Sequence, residues 1–108
     1  MTECLFNLNC DELIQLKELR HKEIESAYYK LTSKELDLKN AENNLWLKTD
    51  FKEVGCTNDK MRTAYVSNAT ADIRFEIQQL KYELKQQENL LIIINDLIKL
   101  RLQEVKTE

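Results

Sequence analysis

Trp46-Leu47-Lys48-Thr49-Asp50-Phe51-Lys52-Glu53-Val54-Gly55-Cys56-Thr57 is the stretch that decides the fold. It holds the only glycine of a 108-residue chain that has no proline. Apolar residues recur at helical spacing on both sides of it, and within it that period fails. Gly55 can adopt the positive φ of a helix end or a tight turn. Thr57 or Asn58 can then cap a second helix, with Asp59 in the first turn at the positive end of the helix dipole. A chain of this length ordinarily carries about five prolines and seven glycines. Sandwiches, barrels and βαβ units depend on such residues for their turns. Those folds are excluded, and long helices joined by few turns remain.

The segment before the turn opens with a helix start. Asn9 can cap, and Glu12 three residues later can bond back to it as in a capping box. Leu13, Leu16, Leu19, Ile24, Ala27, Leu31, Leu38, Ala41 and Leu45 follow at helical spacing, and from Ile24 the steps form a heptad seam with Lys34 in its gap. Thr32-Ser33-Lys34-Glu35 resembles a second start and marks a place for a kink. After the turn, Val66, Ile73, Leu80, Gln87 and Ile94 lie seven apart, as do Ile77, Leu84, Leu91, Ile98 and Val105. Ser67-Asn68-Ala69-Thr70-Ala71 is the weak helix former in that run. The reading is one helical domain over 1–108, with a helix over about 10–47, a turn over about 48–57 and a helix over about 58–106. The fold class is all-α: a long, coiled-coil-like antiparallel helical hairpin, with Leu31 near Ile77, Ile24 near Leu84 and Leu16 near Leu91.

Two helices bury one stripe each, so a hairpin of this kind calls for further cover. The run Leu90-Leu91-Ile92-Ile93-Ile94, continued by Leu97, Ile98, Leu100 and Leu102, is apolar nearly all round the helix. Either the lead-in residues Leu5, Phe6 and Leu8 wrap one side of it, or a second protein does. Leu90, Ile93, Ile94, Leu97 and Leu100 are the candidate self-association residues, making a homodimeric four-helix bundle; a docking site for another protein is the open alternative.

The charge balance argues against binding duplex DNA by bulk charge. Sixteen Lys+Arg stand against nineteen Asp+Glu, net charge is −3 and pI is about 5.3, whereas such proteins usually lie above about 9. A local stripe is still present: Lys17, Arg20 and Lys22 with Lys81 and Lys85 form the candidate nucleic-acid surface, with glutamates interleaved. No apolar run of membrane-spanning length and no leader sequence is expected. Cys4, Cys10 and Cys56 are odd in number and lack Cys-x-x-Cys spacing, which reads as free thiols in a reducing cytoplasm. Twelve lysines, nine asparagines and eight isoleucines favour A/T-rich codons and a low-G+C genome.

No pattern points to catalysis. Glu18-Leu19-Arg20-His21 has the Glu-x-x-His spacing of di-iron bundles, but His21 is the only histidine. The carboxylates Glu23, Glu25, Glu35, Asp37 and Glu42 do not fall at the paired spacing of all-α nucleotide pyrophosphohydrolases. No phosphate loop, catalytic triad order or Cys/His cluster is present. The expectation is no enzyme, no metal and no cofactor. Trp46, Phe51, Asn58, Arg62 and Tyr65 cluster around the turn instead. They are read as anchors for a protein partner, since Trp, Tyr and Arg dominate binding hot spots; a small core of Trp46, Phe51, Val54, Met61 and Tyr65 closing the bundle end is the other reading.

The pattern from Trp46 through Asp50-Phe51, Glu53, Gly55, Thr57-Asn58 and Arg62 to Ala64-Tyr65-Val66 resembles a segment of small helical-hairpin accessory proteins of Gram-positive phages and prophages. It covers about 20 of the 108 residues. The resemblance implies a protein of the host cytoplasm that acts on a host or phage protein complex as adaptor or inhibitor. The outline is also similar to the secreted WXG100 hairpins, but Trp46-Leu47-Lys48 lacks their turn glycine. The functional expectation is a non-enzymatic protein–protein interaction module that forms a homodimer and does not enter membranes. The alternatives are a nucleic-acid-associated helical protein and a self-assembling scaffold coiled coil.

Overall fold

The computed structural model describes Leu5 and residues 7–107, with side chains through Glu104. Three helices account for almost all of it: α1, Cys10–Lys48; α2, Asp59–Ala69; and α3, Ala71–Thr107. No strand occurs among the described residues. Helix α1 runs unbroken through Thr32-Ser33 for 39 residues. Its start is the expected capping box: Glu12 N–H donates to Asn9 Oδ1 at 2.9 Å, and Asn9 N–H donates to Glu12 Oε1 at 3.3 Å.

The single helix expected over 58–106 is two helices, parted at Thr70. The physical reason lies in that side chain. Thr70 fills the seam position between Val66 and Ile77 and is only 1% exposed. Its hydroxyl turns back on its own helix, donating to Val66 O at 2.8 Å, and it accepts from Arg74 Nε at 3.2 Å. A threonine that back-bonds to the carbonyl four residues earlier bends a helix. Its carbonyl then opens α3 by accepting from Arg74 N–H at 3.1 Å.

Residue contacts divide the chain into two compact units. The first takes in the chain up to Tyr28 and from Tyr82 onward. Here the early turns of α1 and the late turns of α3 run antiparallel: Leu8 O accepts from Arg101 Nε at 3.2 Å, and Arg20 Nη1 donates to Gln87 Oε1 at 2.9 Å. Leu5, Leu13, Ile94 and Leu97 form the core, with Leu8, Leu16, Leu90 and Ile98 packed against it. Leu5 and Leu8 are therefore the cover for the apolar run on α3; Phe6, expected beside them, lies outside the described residues. Tyr28 O–H donates to Glu88 Oε1 at 2.8 Å, and this bond holds the phenol above its ordinary pKa.

The second unit spans Tyr29–Lys81. The later turns of α1 face α2 and the first turns of α3, with Leu31, Val66 and Ile77 buried. Lys34 Nζ meets Glu76 Oε2 at 2.6 Å, and Arg74 Nη2 meets Glu42 Oε1 at 2.8 Å. The Glu76 carboxylate raises the Lys34 pKa.

Leu13 and Ile94 have no exposed surface. Ile94→Ala is expected to lower unfolding free energy by about 2–5 kcal/mol. Ile92→Ala, at a side chain 57% exposed, is expected to change it by less than about 0.5 kcal/mol. Urea unfolding measures both, and equal destabilisation by the two would show that Ile94 is not in the chain's own core.

Candidate functional site

The reversal over residues 49–58 is built from short-range bonds. Glu53 and Val54 N–H both donate to Asp50 O, at 3.1 and 3.3 Å. Gly55 N–H then donates to Lys52 O at 3.2 Å and Cys56 N–H to Phe51 O at 2.7 Å. These nested bonds around a residue in the left-handed region make a Schellman motif. Gly55 supplies that conformation at φ +83°. Cys56 is consequently buried, and Asn58 caps α2 by accepting from Met61 N–H at 2.9 Å.

Phe51 is the centre of this end. The Trp46 ring lies 5.2 Å from it at a tilt of 50°, and the Tyr65 ring meets it edge-on at 6.0 Å. The Arg62 guanidinium sits over its face, 5.9 Å from the ring centre. Arg62 Nη1 also reaches Asp59 at 3.7 Å, and Arg62 Nε is buried without a hydrogen-bond partner. Four of the five residues singled out around the turn therefore touch through Phe51. Asn58 has a different task, because its side chain is consumed in the cap.

The rings are both a local core and a surface. Phe51, Arg62 and Tyr65 are half-buried, while Trp46 remains 43% exposed on top of them. Leu47 is 83% exposed, and Val54 and Met61 are exposed as well. Sequence reasoning missed Leu47, and it assigned Val54 and Met61 to a core closing the bundle end, whereas both are exposed. Leu47 carried a usable signal: it lies beyond Leu45, where the seam ends, yet is large and apolar beside the turn.

The other candidate residues are placed as follows. Of the self-association set in the first unit, Ile94 and Leu97 are buried by the chain itself and Leu90 is half-buried; Ile93 and Leu100 are exposed. The reason is that Leu13 and Leu16 of α1 pack with them, together with Leu5 and Leu8 of the lead-in, the first of the two covers expected for this run. In the basic stripe, Arg20 is half-buried and engaged with Gln87 and with Glu23 at 2.8 Å. Lys17 is half-buried, and Lys22 and Lys85 are exposed, in the same unit. Lys81 belongs to the second unit, where it lines a groove with Glu35, Glu42 and Arg74. Glu18 and His21 are both exposed.

Among the described residues no group of His, Cys, Asp and Glu could hold a metal ion, and no helix is long and apolar enough to cross a membrane. Cys10 and Cys56 are free thiols, and Cys4 lies outside the described residues. No protein-family model, curated protein or solved structure matches the chain.

Removing the Phe51 ring takes away the surface shared by Trp46, Tyr65 and Arg62. Phe51→Ala is expected to red-shift the emission of Trp46, the only tryptophan. It is also expected to cost about 0.5–1.5 kcal/mol for each of the aromatic pairs it removes. Unchanged emission would mean that Phe51 does not hold Trp46 in place.

Proposed function

We propose that this protein is a non-enzymatic interaction module, a self-associating helical hairpin whose turn end binds a partner protein. The observation that carries the reading is the exposed apolar surface seated on packed aromatic rings: Trp46 packed at a tilt against Phe51, with Leu47, Val54 and Met61 exposed about the turn. A rigid aromatic anchor loses little conformational entropy on binding, and a preorganised patch retains more of its contact energy. Arg62, held over Phe51 by a cation–π contact, adds a charged hydrogen-bond donor at the rim of the apolar patch. The resemblance of the turn segment to phage and prophage accessory proteins supports a partner in a host or phage complex within the bacterial cytoplasm. An adaptor or inhibitor of such a complex needs no metal, cofactor or catalytic group of its own.

The experiment is affinity capture of the tagged chain from a low-G+C Gram-positive lysate, with and without nuclease, run beside the double variant Trp46→Ala with Arg62→Ala. A stoichiometric protein partner is expected with the parent chain. Truncating two hot-spot residues is expected to weaken capture by about 100-fold or more. A partner that the double variant retains in full sinks the role of the turn end. A partner that disappears with nuclease moves the function to nucleic acid.

A further inference from the structure

Helix α3 carries a second seam that the chain's own core does not use. Tyr82, Gln86, Asn89, Ile93, Asp96 and Leu100 follow at alternating steps of four and three residues, the spacing of a coiled-coil seam. At 100° per residue it lies roughly 130° round the helix from the buried Leu84, Ile94 and Leu97. All six side chains are exposed. Tyr82 is 67% exposed and Leu100 52%, an arrangement that a helix facing only water does not need.

We infer that this seam is where a second copy of the chain pairs, antiparallel, about a two-fold axis level with Gln87 and Glu88. The inference rests on the self-association in the reading above and not on the partner of the turn end. Its ground is that the seam is complementary to its own reverse. Turned end for end, Tyr82 faces Ile93 of the second copy, and Gln86 faces Asn89 of the second copy. Apolar layers thus meet apolar layers and amides meet amides. A parallel pair would instead set Asp96 against Asp96 and Asn89 against Asn89. Charge therefore selects the antiparallel arrangement, and the central amide layer fixes its register. Lys85 and Lys99 flank the seam on its outer side, where their stems can cover Ile92. A foreign helix would require no such symmetry of the sequence.

The area sets the strength. Tyr82, Ile93 and Leu100 offer roughly 300 Å² of exposed apolar surface per copy. A pair covers roughly 600 Å² from these residues, short of the ~1,200 Å² at the lower end of stable complexes. The dimer is thus reversible and depends on concentration.

Sedimentation velocity on the full chain from about 1 μM to about 1 mM tests the inference. The expected mass rises from 12.8 kDa toward twice that value. Tyr82→Glu combined with Ile93→Glu is expected to hold the mass at one chain throughout, with unchanged helix content. Orientation is read by disulfide trapping in a background with Cys4, Cys10 and Cys56 replaced by Ser. Tyr82→Cys mixed with Ile93→Cys is expected to give the mixed dimer. Tyr82→Cys alone is expected to give none, because the two sites would lie about 16 Å apart along the helices. A single-chain mass at every concentration overturns the inference, as does a dimer that survives both glutamates. Self-trapping of Tyr82→Cys alone overturns the antiparallel arrangement, and the trapping result decides the matter if the glutamate variant fails to fold. Capture of a partner at the turn end by a chain that stays monomeric overturns this inference and leaves the turn-end reading standing.

Discussion

One backbone geometry supports the whole turn end. Gly55 at φ +83° lets Cys56 N–H reach back to Phe51 O at 2.7 Å. That bond closes the turn, buries Cys56 and fixes Phe51 where Trp46, Tyr65 and Arg62 can all reach it. A Cβ at position 55 would meet nothing within 4 Å. The requirement for glycine is therefore one of backbone conformation and not of space. With no second glycine in the chain, this is the position at which the backbone can enter the left-handed region without steric cost. The aromatic cluster is in turn the part of the surface best suited to recognition.

Burial in the first unit follows a different logic. A hairpin end made of two helices leaves much of α3 uncovered, and residues 90–102 are too apolar to remain so. The lead-in answers this by placing Leu5 beside Ile94 and Leu97 and tying Leu8 to Arg101. Tyr82, Ile92, Ile93, Leu100 and Leu102 remain exposed on the same helix. The second unit uses charge at its edges, with Lys34–Glu76 and Arg74–Glu42 flanking the buried Leu31 and Ile77. Such half-exposed pairs specify alignment more than they add stability.

Much of the fold was legible because helix signals are local. The capping pair Asn9–Glu12, the cap at Asn58 and the positive φ of Gly55 all follow from residue types at fixed offsets. The seam positions Leu31, Ile77 and Leu84 follow from a seven-residue period. Thr70 was harder to read. Its neighbours are weak helix formers, but the break comes from a hydroxyl that occupies a seam position and bonds backward. The division of apolar residues 90–100 into buried and exposed sets was legible only in part. The seven-residue period places Ile94 on the seam, where Leu13 of α1 joins it, but Leu97 lies off that period and shares its cluster with Leu5 of the lead-in. Asn58 illustrates the limit at the turn end: cap and anchor demand the same residue type, and only the bond to Met61 N–H separates them.

The proposed recognition by the turn end requires that it be ordered before any partner arrives. Native-state hydrogen exchange on the full chain measures this at the amides of Gly55 and Cys56. Protection at both, comparable to the neighbouring turns of α2, is the predicted result. Exchange at the rate of an open loop at both amides would contradict it, because a turn that is not closed cannot hold Phe51, Trp46 and Arg62 in one arrangement.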